Sequence, residues 1–448
     1  MTTLRAGGAS ADITPPVGGM MDGYGGRSTP SQGVHDPLLA RALVLDYGNK
    51  GAAAIVVLDL LGIHPWMAAE LRRRAHGTLG IPEDAIVLSA THDHAAPVGL
   101  RSGMFSRLDR ALAEQTVAAC LDALTRAWES RRPATLKVGS IDVSGVAMNR
   151  RDPDGPVDST LRVLLLDGAD GPIASLMNFA CHATVLSGEN LLLSAEFPGA
   201  ACRMVEAATG APTVYLQGAC GDVNPIWIRQ DFASVERAGQ RVAGAAISLI
   251  ADLQASGEGL RGHNIRWDEF RDIPVGGRVV APRLRFARRE IDLPLRKFAS
   301  DEEYVARIDT ARVEAEANPA ASPARRAAMA QLSRYEGERW AAVWSRRSGE
   351  SGIRRIEVQA LSLGAGVALV ALPGEFFVET AAMIREASGV DELLVAGYAN
   401  DYVGYVVPEA AFDEGGYESG VTFFTGEAET IIREVSVDTL REVCRDGD

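Results

Sequence analysis

Two histidines flank an aspartate in the stretch SATHDHAAP, residues 89–97, directly after the apolar run AIVL. Side chains two apart on a strand point to the same face, so the spacing predicts that His92 and His94 project together. Paired imidazoles are a common beginning of a transition-metal site. Two polar groups at a solvated strand end would show the same spacing, and these two residues alone leave both readings open.

Other apolar runs end in the same manner. MNFACHATVLSGEN ends at His182, VYLQGACGDVNP brings Asp222 and Asn224, VALPGEFF brings Glu375, and AGYANDYVGY holds Tyr398, Asp401, Tyr402 and Tyr405. Five strand ends carrying ligand-type side chains predict the rim of one site. Catalytic zinc takes about three histidine or carboxylate ligands and keeps a position for water, whose pKa it lowers to about 7. His92, His182 and Glu375 would form such a set from separate strands, although no local signature such as HExxH supports it. Glu375 could instead cap the helix that comes after it. Asp222 either binds the metal, orients a histidine from behind, or closes a Gly-Asp turn. Asn224, in an Asn-Pro step, reads as a turn or as a substrate contact. Asp93 would point away from the histidines if the strand continued. Cys181 and Cys220 have small apolar neighbours and read as buried spectators, and His64 and His76 flank a helix as surface residues.

The elements that must carry these groups alternate over the first 250 residues. RALVLDYG, AAAIVVLDL and DAIVLSA read as strands, with helices near 64–77 and 107–128. ATLKVGSIDVSG, STLRVLLLDG and PIASLMNFACHA come next, then APTVYLQGACGD between helices near 197–209 and 233–257. Composition shifts from about 258 to 350. There HNIRWDEFRDI and ARREIDLPLRKF read as strands, and two charged helices near 302–317 and 323–346 form a hairpin. Ser322 as N-cap and Pro323 at the first helical position mark the start of the second. The hairpin either packs on the body or reaches to a partner chain. Strands IRRIEVQALSLG and VALVALPG, a helix near 376–388, ELLVAGYAN and a helix near 425–443 complete the chain. GAGVAL (364–369) links two strands with no helix after it, which disfavours a dinucleotide site. The pattern predicts an α/β fold of mixed α+β layers, strands covered by helices, with the site at strand C-terminal ends.

The formal net charge of −14 over 448 residues argues against a nucleic-acid partner, which would want a basic stripe. No apolar run is long enough to span a bilayer, and the N-terminus lacks a signal-peptide core. Five scattered cysteines form no CxxC, so a cytoplasmic protein with reduced thiols and no stable membrane association is expected.

The ordered motifs ASADITPPVGGMMDGYGG, GVHDPLLARALVL, SATHDHAAPVG, MNFACHATVLSGEN, GACGDVNP, LPGEFF and YANDYVGYVVPEAAFDEGGYE together resemble the catalytic domain of the neutral/alkaline, non-lysosomal ceramidases and their smaller bacterial relatives. The resemblance runs from about residue 5 to residue 440, interrupted by the divergent 258–350 region. It implies one Zn2+ per chain, held by His92, His182, Glu375 and Tyr405. It implies further that His94 contacts substrate or transition state, that Tyr417 in GGYE contributes to catalysis, and that Asn149 and Arg150 match a family Asn-Arg pair. His35 in GVHDP falls on a family motif as a substrate-side residue. Three departures accompany the match. Asn224 stands where the family motif GDVSP has serine, Glu196 stands where ceramidases prefer aspartate, and no C-terminal β-sandwich domain is expected.

A single catalytic domain, 1–448, is expected, with an insertion at about 258–350. It would be a zinc-dependent hydrolase cleaving the amide bond of a small N-acyl substrate through metal-activated water. His94, Tyr417 and Asp222 would be catalytic, and Asn224, Arg150 and His35 would contact substrate. A zinc lactonase or esterase is the alternative within enzymes, and a zinc-containing binding protein without turnover the alternative outside them. Oligomerisation through the 302–346 hairpin stays open.

Overall fold

The computed structural model describes residues 4–101, 107–256, 260–264, 269–273, 276–320, 322–350 and 352–445. Three mixed sheets form its frame, each built mainly from one stretch of chain, with Arg278–Val280 added at the edge of the second. The first contains β1 (Arg5–Asp12), β2 (Leu39–Asp46), β3 (Ala52–Leu58) and β4 (Ile86–Ala90), the last two parallel. Helices α1 (Pro65–Leu79) and α2 (Arg110–Glu129) belong to it. The second holds β5 (Thr135–Asp142), β6 (Thr160–Gly168), β7 (Gly171–Phe179) and, after α3 (Glu196–Thr209), the parallel β8 (Thr213–Gln217). Helix α4 (Phe232–Ala255) packs on α3. The third has β9 (Pro282–Pro294), α5 (Asp301–Ala317), α6 (Pro323–Ser348), β10 (Ile353–Gly364) and β11 (Val367–Ala371). It ends with α7 (Val378–Ser388), β12 (Glu392–Ala396) and α8 (Glu427–Cys444).

Alternation along the strands explains how three sheets share one interior. Leu43, Leu45, Ile55 and Val57 of the first sheet meet Leu164, Leu176 and Leu216 of the second and Leu361, Leu369 and Leu394 of the third. Their neighbours Ala42, Val44, Val56 and Leu58 point the other way, onto α1 and α2. The outer face of the second sheet is covered by α3 and α4. Both faces of these strands are therefore buried, which is why they read as continuous apolar runs.

The expected strands and helices form within a few residues of the predicted bounds, and Ser322 caps α6 with Pro323 in its first turn. The run HNIRWDEFRDI forms the short strands Leu260–Asn264 and Glu269–Ile273, while residues 265–268 lie outside the described set. Strand β1, RAGGASAD, is the element that propensity hides. A Cβ at Gly7 would collide with the Ala127 carbonyl of α2, and one at Gly8 would meet Ala174 Cβ at 2.9 Å. The glycines that weaken the strand signal are thus what allows α2 and the second sheet to approach. No helix among the described residues is long and apolar enough to cross a membrane.

Buried amides lock the three sheets together at one end. Gln217, closing β8, donates from Nε2 to the carbonyls of Thr91 (2.9 Å) and Cys181 (2.8 Å). Asn178 on β7 donates to the carbonyls of Leu216 and Val395 and accepts from the Val395 N–H. Asn400 accepts from the Leu88 N–H at 3.0 Å. A buried amide left unpaired would cost about 1–3 kcal/mol, so these links fix the relative position of the strand ends.

Candidate metal-dependent active site

The chain leaves the three sheets at their carboxyl ends, where open sheets generally build sites, and each exit supplies one acidic or imidazole group. Strand β4 ends at Ala90, so His92 and His94 do not sit on a continuing strand as the spacing predicts. His92 instead adopts the left-handed backbone, φ 60°, and Asp93 forms a parallel bridge with Ala183. The two rings still converge, with Nε2 atoms 3.2 Å apart, because the turn and not the strand aims them. Tyr398 and Asn400 are left-handed as well. Non-glycine residues in that region carry strain of about 1–3 kcal/mol each and persist where the surroundings over-determine them.

His182 lies just beyond β7, and Glu375 lies on a two-residue strand, Glu375–Phe376, parallel to Tyr405–Val406. His92 Nδ1 faces the Leu61 carbonyl at 2.8 Å, and His182 Nδ1 faces the Cys220 carbonyl at 2.6 Å. A ring nitrogen against a carbonyl carries the proton, so the neutral ring turns its Nε2 lone pair inward. Both Nε2 atoms meet the same carboxylate oxygen, Glu375 Oε2, at 3.3 Å for His92 and 3.2 Å for His182. All three groups are buried. Burial, with Arg150 nearby, lowers the His182 pKa to about 4. Burial beside His92 and His182 likewise holds His94 well below its ordinary value.

Lone pairs converging on an ionised carboxylate with no proton to share repel one another in a buried setting. A cation removes the conflict. A tetrahedral metal with bonds of about 2.0–2.1 Å has donor–donor edges of about 3.3 Å, which matches the separations found. His92, His94 and His182 also place a nitrogen each within 4.8 Å of one another. The residues present fit a divalent metal. His94 is the outlying member: its Nε2 touches only His92, and its Nδ1, also buried, finds no hydrogen-bond partner among the described residues.

Tyrosines complete the site, and one of them is not the tyrosine singled out from the sequence. The Tyr402 hydroxyl donates to Glu375 Oε1 at 2.5 Å. The Tyr398 ring stacks on His92 with centroids 4.0 Å apart. Tyr405, opposite Glu375 in the parallel pair, shares its face of the ribbon and accepts from Arg150 Nη2 at 2.9 Å. Arg150 also donates to Asn224 Oδ1 at 3.2 Å and to Glu418 Oε1 at 2.7 Å. Tyr402 is legible in the sequence only as one tyrosine among several in AGYANDYVGY.

Two residues singled out from the sequence make their contacts away from the converging donors. Asp222 orients neither histidine, since backbone carbonyls do that work. Its Oδ1 accepts from the Val378 N–H at the start of α7 and its Oδ2 from Asn149 at 3.0 Å. Burial outweighs those bonds and pushes its pKa up to about 6. The short acidic side chain satisfies the first N–H of that helix and lines the larger of the two clefts beside the site. His35 lines neither of the clefts described below. It stacks on Phe232 and pairs with Asp36, whose carboxylate also holds Ser194 and the Ala195 N–H ahead of α3. Asp93 accepts from the Ala95 N–H and closes the turn, a structural part. Cys181 and Cys220 are buried, and burial raises both thiols.

Two clefts meet here. One of about 450 Å³ is lined by His92, His94 and Glu375, with Leu61, Tyr402 and Trp340. The other, about 870 Å³, is lined by Asn149, Arg150, Arg151, Asn224 and Glu418. The smaller one is the reaction site, because the converging donor atoms face it. Tyr417 borders both; its surface is 52% exposed, but onto the clefts, and burial raises its hydroxyl pKa.

Comparison with known proteins gives one consistent result. Residues 4–252 match the family model described as neutral/alkaline non-lysosomal ceramidase, N-terminal. A neutral ceramidase of Pseudomonas aeruginosa is 24% identical over an alignment covering 98% of this chain and 72% of that protein. A neutral ceramidase of Mycobacterium tuberculosis is 27% identical over 48% of this chain and 37% of its own length. The crystal structure of the P. aeruginosa neutral ceramidase superposes with a TM-score of 0.75 at 20% identity, over 98% of this chain and 74% of that one. A ceramidase complexed with C2 gives 0.73 at 18% identity, over 98% and 75%. At that identity the superpositions establish the shared fold.

Proposed function

The chain belongs to the neutral/alkaline non-lysosomal ceramidase family and is a hydrolase, and on that premise we propose that it cleaves the amide bond of a small N-acyl substrate. One zinc ion per chain would be held by His92, His182, Glu375 and Tyr405. The observation that carries this reading is the convergence of two Nε2 atoms on Glu375 Oε2 at 3.2 and 3.3 Å. Bound there, zinc would polarise the acyl carbonyl and bring a water to a pKa of about 7.

The chain's own groups supply the rest. His94, neutral and facing the cleft, can accept a proton and return it to the departing nitrogen. Tyr417 keeps its O–H proton at neutral pH and can donate to the oxygen on which charge develops. Arg150 does not need to touch substrate: its three donors hold Tyr405, Asn224 and Glu418 in one arrangement. Asn224, in the serine position of the family motif, faces the larger cleft and would meet the amine side of the substrate. The five cysteines are unpaired, which supports a reducing setting such as the cytoplasm.

The test is metal content and turnover on tag-free protein. About one zinc per chain is expected, with hydrolysis of N-acyl amides lost on chelation and restored by zinc. A zinc-loaded chain that cleaves no amide, while cleaving esters or lactones, would move the assignment to those substrates. One that cleaves none of the three would overturn it.

A further inference from the structure

The inserted hairpin does not stand off the body. Ala330, Ser333, Glu336, Gly337 and Trp340 recur at helical spacing on α6, and this stripe borders the clefts: Ala330 lines the larger one and the other four the smaller. The approach is close because two glycines meet. A Cβ on Gly337 would lie 3.0 Å from Gly420 Cα, and one on Gly420 would lie 2.5 Å from the Arg334 carbonyl. Buried Glu338 fastens the crossing through Arg296, which also donates to the Ser419 carbonyl. One face of α6 is thereby a wall of the reaction site.

The wall carries a gauge. Trp340, 41% exposed, lines the smaller cleft near Leu61, Tyr402 and Val421, and its indole ring lies 5.8 Å from that of Trp344 and 6.5 Å from the ring of Phe423. The larger cleft is polar, lined by Asn149, Arg150 and Asn224. A substrate reacting at the histidines would place its acyl group in the smaller, more apolar cleft and its amine in the larger one. Trp340 is the largest side chain that α6 brings to the smaller cleft. We propose that Trp340 of the inserted helix is a specificity-determining residue that blocks long acyl chains and restricts the enzyme to short ones. This inference rests on the amidohydrolase reading above.

The experiment compares N-hexanoyl and N-dodecanoyl amides of one amine on zinc-loaded wild type, Trp340→Ala and Trp340→Phe. The ratio of kcat/KM for the long over the short chain should rise at least tenfold in W340A, through KM, and stay near wild type in W340F. In parallel, equilibrium binding of hexanoate and dodecanoate to the same three proteins should shift in the same ratio without any turnover. A folded W340A whose ratio is unchanged in both measurements overturns the proposal. If wild type turns over neither amide, the hydrolase reading fails, and the binding ratio alone decides what Trp340 does.

Discussion

The Tyr402 hydroxyl stands 2.5 Å from Glu375 Oε1, on the far side of the carboxylate from the oxygen that faces His92 and His182. A carboxylate held at one oxygen presents the other in a fixed direction, and such outer contacts are typically worth 10–100-fold in metal affinity. Tyr402→Phe is therefore expected to weaken zinc binding by roughly 10- to 100-fold. Competition with a chromophoric chelator measures it, and unchanged affinity would show that Glu375 needs no such partner.

His94→Ala separates an enzyme from a protein that only binds metal. The ring touches His92 but is the outlying nitrogen of the cluster. Zinc content should stay near wild type while kcat for an N-acyl amide falls by about 10²- to 10⁴-fold. Loss of the metal along with the rate would make His94 a ligand instead.

Stability should fall as pH rises through the neutral range, with Glu196 a principal cause. Burial pushes its pKa up to about 7 even though the Leu186 and Phe197 N–H groups bond its oxygens. A folded pKa above the unfolded one means that the folded state holds a proton the unfolded chain has released. The stability is complete below about pH 4.5 and is lost as pH climbs through about 7, by on the order of 3 kcal/mol. Asp222 and Asp401, both pushed up to about 6 by burial, add to the same slope. Urea midpoints across pH 5–8 measure it. Glu196→Gln should flatten the slope while lowering the whole curve, since one N–H then faces an amide NH₂; an unchanged slope would place the titration elsewhere.

Gly420→Ala should act on catalysis from a distance. Its Cβ would press on the backbone carbonyl of Arg334 in α6, and overpacking of this kind costs about 1–3 kcal/mol. The short helix Tyr417–Val421 carries Tyr417, so kcat should drop together with the urea midpoint. A full-rate variant at wild-type stability would mean that the crossing tolerates the extra methyl.

The strand ends that carry His92, His182 and Glu375 are legible in the sequence because each is an apolar run broken by small residues and a ligand. What stays hidden depends on distant partners. Nothing in AGYANDYVGY ranks Tyr402 above its neighbours until Glu375 arrives from 27 positions upstream. Asp222 looks like a site carboxylate because it sits beside site residues in sequence, while its partners are Val378 and Asn149. The hairpin reads as charged and solvated because its few aromatics, Trp340 among them, are scattered over polar helices. The residue that lets α6 approach is a glycine, which leaves no mark in a pattern of apolar residues. His92 and His94 do converge, but not for the reason their spacing suggests, since the strand stops at Ala90 and a left-handed turn does the aiming.

The distribution of the proposed ligands over three sheets bears on how the protein would mature. His92 leaves the first sheet, His182 the second and Glu375 the third, so no early substructure owns a complete set. Closing loops of this length costs entropy before any contact repays it. A metal held there would bind tightly only after all three sheets have docked. It would act as a latch on the finished molecule, stabilising it by an amount that grows with the logarithm of free metal. In a metal-starved cell the chain would complete its topology and then reopen more often, so its half-life, and not only its rate of turnover, would track the supply of the ion.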